Sequence, residues 1–337
     1  RLGADAIPVG GMVGRPGLLL AEACEFNRSF HNLRPTIASI ASVEADHLDI
    51  YGSLDAVVEA FHGFASLVPS AEDGGLLLIA EEGAHRREVT AGLSCDVQTI
   101  GFSPAADWVV WLDPEQRHVV LTFRRERVCE WNMQLPGAHN AMNAATAAAL
   151  AISAGADADV VGRSLSAFRG VDRRTQYLGE RQLPSGPVRV WDDYGHHPTE
   201  IDATLRALRD FDRPQDRDGR LVCVFQPHQH SRTRHLLDEF ASAFGEADIV
   251  IVPHIYFVRD SQAEMHKVSS TDLVNRLRQR GVRAMHLEPF GAIVEQLEPI
   301  CRPGDTVAVM GAGPVWEIAH GFLAAGDITA AAREGSA

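Results

Sequence analysis

The chain has 337 residues, of which 45% are hydrophobic and 23% charged, enough apolar material for two cores rather than one. Its net charge of −14 argues against a nucleic-acid binder held through phosphates. No apolar run approaches the ~20 residues that span a bilayer. The five cysteines (Cys24, Cys95, Cys129, Cys223 and Cys301) are odd in number and form no C-x-x-C pair. That fits a reducing cytoplasm and argues against a disulfide framework or a cysteine zinc site.

In chain order, residues 18–20 and 36–43 read as buried strands and residues 54–67 as a helix. Residues 75–127 hold several β-like runs, including Trp108-Val109-Val110-Trp111 and Val119-Val120-Leu121-Thr122. An alanine-rich helix over 140–151, with Asn140 as a natural N-cap, precedes a second over 158–168. A break near Gly170 is the expected domain boundary, dividing the chain into 1–170 and 171–337. Beyond it strands and helices alternate. Strands are expected over 188–191, 221–225, 248–252, 282–287 and 306–310; helices start near Pro198 and Ser231 and cover 270–280 and 291–297. This pattern predicts an α/β domain with a parallel sheet covered by helices on both faces. In such sheets ligands collect at the carboxyl ends of the strands. The tail after Gly326, small and polar, is expected to fray.

Four strand ends run into polar clusters. The first strand ends in Ala21-Glu22-Ala23 and the second in Glu44-Ala45-Asp46-His47. Acids and a histidine at these edges suit Mg²⁺, which takes oxygen ligands from one or two protein groups plus phosphate. Capping of the next turn accounts for Glu44 and Asp46 equally well. Trp191 runs into Asp192-Asp193-Tyr194-Gly195-His196-His197-Pro198-Thr199-Glu200, which places much titratable chemistry in one strand-to-helix turn. Phe225 runs into Gln226-Pro227-His228-Gln229-His230-Ser231-Arg232-Thr233-Arg234. Arginines at a helix start suit bidentate binding of carboxylate or phosphate; the alternative is a solvated turn. At the alanine-rich helix, His139 and Asn143 offer hydrogen bonds to a planar ligand, while capping alone explains Asn140. Gly311-Ala312-Gly313 after a strand is half of a dinucleotide fingerprint. Trp316 occupies the third glycine position, so a tight turn is the simpler reading.

Together the segments LLAEACEFNRSF, VEADHLDIYGS, LPGAHNAMNAA, FRGVDRRTQYLGE, DDYGHHPTEIDAT, FQPHQHSRTR and VAVMGAGPVWEIA resemble the Mur ligases, from about Leu18 to Ala319. DDYGHHPTE and FQPHQHSRTR form the most specific pair. Their order and spacing are closest to members that attach L-alanine to UDP-N-acetylmuramate. The resemblance implies a UDP-sugar-binding domain, a central ATP-binding domain and a Rossmann-like C-terminal domain with a mostly parallel sheet. It implies ATP and Mg²⁺ as cofactors and cytoplasmic peptidoglycan precursor synthesis. ATP would activate the muramate carboxylate to an acyl phosphate, which the alanine amine attacks. Carried over by residue, Glu22 and His47 match Mg²⁺ ligands. His139, Asn140 and Asn143 match the adenine-side motif, and Arg173 and Arg174 the arginine pair at the hinge. Asp193 and Tyr194, with His196 and His197, match the corner that meets nucleotide and substrate. Arg232 and Arg234 match arginines facing the reacting carboxylates. Cys24-Glu25-Phe26-Asn27, Ser42 and Gln229-His230 depart from the family's usual residues.

The resemblance also implies a phosphate-cradling loop ending in Gly-Lys-Thr, whose amides and lysine grip the transferred phosphate. The single lysine of this chain, Lys267, follows no glycine run. The loop and the UDP-binding domain are therefore expected upstream of Arg1. On that expectation the chain is the carboxyl-terminal part of a ligase, inactive alone and less stable in its first half. The alternatives are a ligase that adds a preformed peptide to the same sugar and a non-catalytic relative that has lost ATP binding. An oxidoreductase reading of Gly311-Ala312-Gly313 leaves the acid, histidine and arginine corners unexplained.

Overall fold

A computed structural model describes residues 17–334. The first six-stranded sheet runs in the order β1 (Ile37–Ile40), β2 (Leu76–Ala80), β3 (Asp96–Gly101), β4 (Trp108–Asp113), β5 (His118–Phe123), β6 (Glu126–Asn132). β1 to β4 are parallel neighbours, and β4, β5 and β6 form an antiparallel meander. Helices α1 (Leu48–Tyr51), α2 (Leu54–Ala65) and α3 (Arg86–Thr90) lie between its strands, and α4 (Ala138–Ser153) and α5 (Ala158–Ala167) follow it. α2 starts at Ser53, whose side chain accepts from the Ala56 amide, as serine does at an N-cap. Successive residues of β2 serve two cores. Leu77 and Ile79 pack with Val57, Ala60 and Phe64 of α2, whereas Leu78 packs with Ile100, Trp108 and the alanines of α4. Alternation with period two makes this division inevitable.

The second sheet contains β7 (Gln176–Leu183), β8 (Gly186–Asp193), β9 (Leu221–Phe225), β10 (Ile249–Val252), β11 (Arg283–His286) and β12 (Thr306–Met310), in the order β11-β10-β9-β12-β8-β7. All neighbours are parallel except the β7–β8 hairpin. Its helices are α6 (Pro198–Phe211), α7 (His230–His235), α8 (Leu237–Ser242), α9 (Ser270–Gln279), α10 (Phe290–Ile300) and α11 (Trp316–Glu334). Every residue of β9, β10 and β12 is buried, because helices cover both faces. Leu221, Cys223 and Phe225 face the core shared with α6 and α8. Val222 and Val224 face the core shared with α10 and α11. No helix among the described residues is long and apolar enough to cross a membrane.

Four expectations need correction. Residues 18–20 form no strand, and Leu18, Leu19 and Leu20 are 75–89% exposed. Leucine content supplies apolar surface, but a strand also needs a neighbouring ladder, and among the described residues β1 pairs only with β2. The second expected strand is limited to Ile37–Ile40. The N-cap of α4 is Gly137, at φ 94°, rather than Asn140. Asn140 lies inside the first turn and its Nδ2 donates to Pro136 O at 2.7 Å. The tail after Gly326 continues α11 through Glu334, consistent with the high helix propensity of its alanines; residues 335–337 lie outside the described residues.

Candidate active site

The carboxyl end of β8 carries the densest chemistry. Asp193 is fixed on three sides. Its Oδ2 accepts from the Thr175 amide (2.7 Å) and Thr175 Oγ1 (3.2 Å), and its Oδ1 accepts from the Gly195 amide (2.7 Å). Asp192 is as deeply buried, but Oδ1 has no partner among the described residues and Arg173 Nε stands 3.5 Å from Oδ2. Burial, helped by Asp193 and opposed by Arg173, pushes the Asp192 carboxyl up to about 6. Arg173 also donates to the carbonyls of Gly311 and, at 3.2 Å, Gly313, tying the segment before β7 to the turn after β12. Arg173 and Arg174 both lie over the Tyr194 ring, each 5.1 Å from its centroid.

His197 caps α6. Its side chain accepts from the Thr199 amide, while Glu200 Oε2 accepts from the His196 (2.8 Å) and His197 (3.1 Å) amides. This reciprocal box satisfies donors that an open helix end would leave bare, and it fixes both imidazoles at the mouth of the sheet. His196 Nδ1 lies 3.2 Å from Tyr194 O. A proton on Nδ1 toward that carbonyl leaves Nε2 with the lone pair. Burial lowers the proton affinity of His196. The His228 ring, on the segment after β9, lies 5.5 Å from that of His196. Burial, followed by His196 and Arg232, lowers its pKa to about 4. Two neutral imidazoles therefore sit side by side at neutral pH.

The first half of the chain meets this edge with acids. Arg232 on α7 donates from Nε (3.1 Å) and Nη2 (2.6 Å) to Asp46 Oδ1, across 186 residues of sequence. Glu44 Oε2 accepts from Thr199 Oγ1 (2.6 Å) and lies 3.5 Å from His197 Nδ1. His47 Nε2 is 3.1 Å from Glu25 Oε1. Ligand atoms of Glu25, Asp46 and His47 all lie within 4.8 Å of one another. The hydrogen bond from His47 holds the Glu25 carboxyl below its usual range. Burial opposes ionisation of Asp46, but Arg232 and His47 outweigh it and lower its pKa. Tyr51 Oη donates to Glu25 O, and Phe26 packs edge-on against His47 at 5.1 Å, so the donors are held from behind. Two carboxylates and one imidazole nitrogen fit a hard divalent cation such as Mg²⁺.

The predicted residues divide accordingly. His47, His196, His197, Asp193, Tyr194, Arg173 and Arg232 converge on the facing edges. Glu22 is exposed and outside the carboxylate–imidazole group, where Glu25 and Asp46 stand with His47 instead. Arg234 points away to Glu264, 3.1 Å from Nε, because residues two apart on a helix lie on opposite sides. Arg174 and Asn143 are exposed. His139 lies one turn away at the start of α4, with its proton affinity lowered by burial, and Asn140 is occupied by Pro136 O. The sequence reasoning assigned no site role to Glu25, His228 or Glu200. The signals available were the Glu22–Glu25 spacing, the histidine just past β9, and the acid at the third helical position after His197.

Residues 20–151 match the Mur ligase middle domain and residues 173–313 match the Mur ligase, glutamate ligase domain. The chain is 34% identical over 323 residues to a UDP-N-acetylmuramate–L-alanine ligase of Caldanaerobacter subterraneus, covering 95% of this chain and 67% of that protein. It is 35% identical over 330 residues to the protein of the same name from Desulforamulus reducens, covering 96% and 68%. The chain thus spans about two thirds of the length of the curated relatives it matches. In fold it resembles the crystal structure of a UDP-N-acetylmuramate–alanine ligase from Thermotoga maritima, with TM-score 0.67 and 22% identity over 90% of this chain and 62% of that one. A murein peptide ligase from Psychrobacter arcticus gives TM-score 0.63 and 22% identity over 88% and 58%.

Proposed function

The chain belongs to the Mur ligase family, and from that premise we propose that it joins L-alanine to the carboxylate of UDP-N-acetylmuramate in cytoplasmic peptidoglycan precursor synthesis, at the expense of ATP. The observation that carries this reading is the meeting of two strand edges: clustered acids from one half face histidines and an arginine from the other. We assign the first sheet with its helices (1–170) to ATP and the second (171–337) to the amino acid. Glu25, Asp46 and His47 would hold Mg²⁺, which would screen charge on the phosphate oxygens. His139, Asn143, Arg174 and Tyr194 would receive the nucleotide. Activation of the sugar carboxylate as an acyl phosphate makes phosphate the leaving group when the amine attacks.

The residues of the chain then divide the work. His196, neutral through burial, presents Nε2 to take the proton that the amine loses on attack. Arg232, held by Asp46, supplies positive charge beside the oxygen that becomes negative in the tetrahedral intermediate. Asp193, locked by Thr175 and Gly195, fixes the hinge against β8. The contacts from Glu44 to Thr199 and His197 close the two edges, which excludes water from the activated carboxylate.

The test is phosphate release by the full gene product with ATP and a divalent cation. Release is expected to need UDP-N-acetylmuramate and L-alanine together. Release that needs a peptide acceptor instead of L-alanine would move the assignment to a peptide-adding ligase. No acceptor-dependent release would sink the ligase reading.

A further inference from the structure

Arg259 belongs to none of the motifs that pointed to the site, yet the fold delivers it there. The segment after β10 crosses toward the first half of the chain and is pinned on both sides of this residue. Tyr256 N donates to Pro227 O (2.8 Å) and Gln229 N to Tyr256 O (3.1 Å). Gln229 Nε2 donates to Val258 O (3.2 Å). On the other side, the Asp260 carboxylate accepts from the His230 and Ser231 amides and, at 2.6 Å, from Ser231 Oγ. Between these anchors Arg259 has φ 54°. That left-handed conformation is strained for a residue with a Cβ. Such outliers persist where surrounding contacts over-determine them, and they collect at functional positions.

The bend carries the guanidinium over the Phe26 ring, 4.9 Å from its centroid. Phe26 is the neighbour of Glu25 and packs against His47, so the cation stands beside the acid group. It is also near enough to His228 to contribute to that ring's lowered proton affinity. Arg232 and Arg234 are taken by Asp46 and Glu264. Arg259 is exposed and has no hydrogen bond or ion pair among the described residues.

We propose that Arg259 binds the α-carboxylate of the incoming amino acid, so that the enzyme selects a free amino acid over a neutral amine. One carbon separates that carboxylate from the amine. The cation that reads it must therefore stand next to the group that takes the amine's proton, and the segment that carries Arg259 packs its Tyr256 against His228, 5.8 Å between ring centroids, with His228 in turn beside His196. A planar guanidinium pairs with a carboxylate through two parallel hydrogen bonds. The inference rests on the ligase reading above.

The experiment compares L-alanine with L-alaninamide as acceptors for the full gene product and for Arg259→Ala, Arg259→Lys and Phe26→Leu. KM is measured for each substrate separately. Arg259→Ala is expected to raise KM for L-alanine about 100-fold, the loss of a charge-assisted pair. It also erases the preference over the amide and leaves KM for ATP and the UDP sugar within about threefold. Arg259→Lys recovers part of the preference. Phe26→Leu removes the stacking platform but keeps the charge, and keeps the preference. A preference that survives Arg259→Ala overturns the proposal, as does an effect confined to KM for the nucleotide or sugar. Unaltered protein without acceptor-dependent phosphate release overturns the ligase reading and this inference with it, so the two failures are distinguishable.

Discussion

Asp192 and Asp193 are adjacent and both buried, yet their surroundings give them different work. Burial raises the pKa of Asp193 too, but the Gly195 and Thr175 donors oppose that shift and satisfy both its oxygens, as burial of a polar group requires. Asp192 has one oxygen without a partner and a pKa raised to about 6. Between its ordinary value of 3.8 and 6, the folded chain keeps a proton that the unfolded chain has released. By linkage the contribution of Asp192 to stability falls as pH rises through that window. Asp192→Asn is therefore expected to stabilise the fold at pH 7 and to flatten the slope between about pH 4 and 6, as read by denaturant unfolding at both ends. An unchanged slope would contradict the assignment. At this scale the opening chemistry of the site was legible, because DDYGHHPTE and FQPHQHSRTR each lie within one turn. Glu25 offered only its spacing from Glu22, and Arg259 nothing at all, because no local pattern records that residues far apart in sequence share a cleft.

Elements differ in how plainly the sequence announces them. β9, β10 and β12 were legible as apolar runs because helices bury both faces. β7 escaped notice because it is a polar edge strand, held mainly by its hairpin partner. The leucines at 18–20 misled for the opposite reason, since apolar content without a ladder does not make a strand. At α4 the backbone overrode side-chain preference. Gly137 takes φ 94°, and a Cβ there would come within 2.7 Å of the Ala207 Cβ on α6. Only glycine can turn the chain at this close approach between the two halves. Gly137→Ala is expected to cost about 2–4 kcal/mol by denaturant unfolding and to separate α4 from α6. Full stability in that variant would show that the turn relaxes freely.

Among the described residues, charged and polar contacts join the two halves of the molecule: Asp46 with Arg232, Glu44 with Thr199 and His197, Arg259 over Phe26, and Arg117 over Phe211. Such an interface resembles a transient one more than a core. It suits parts that separate to admit substrates and close to exclude water during the transfer. In the proposed reaction this closed edge activates a carboxylate by phosphoryl transfer before amide formation. The most direct test follows isotopically heavy oxygen in the carboxylate of UDP-N-acetylmuramate while the full gene product turns over with ATP, a divalent cation and L-alanine. One heavy oxygen is expected in each released phosphate, because the oxygen that attacks phosphorus departs with it when the amine attacks carbon. Phosphate released without the label would rule out the acyl phosphate.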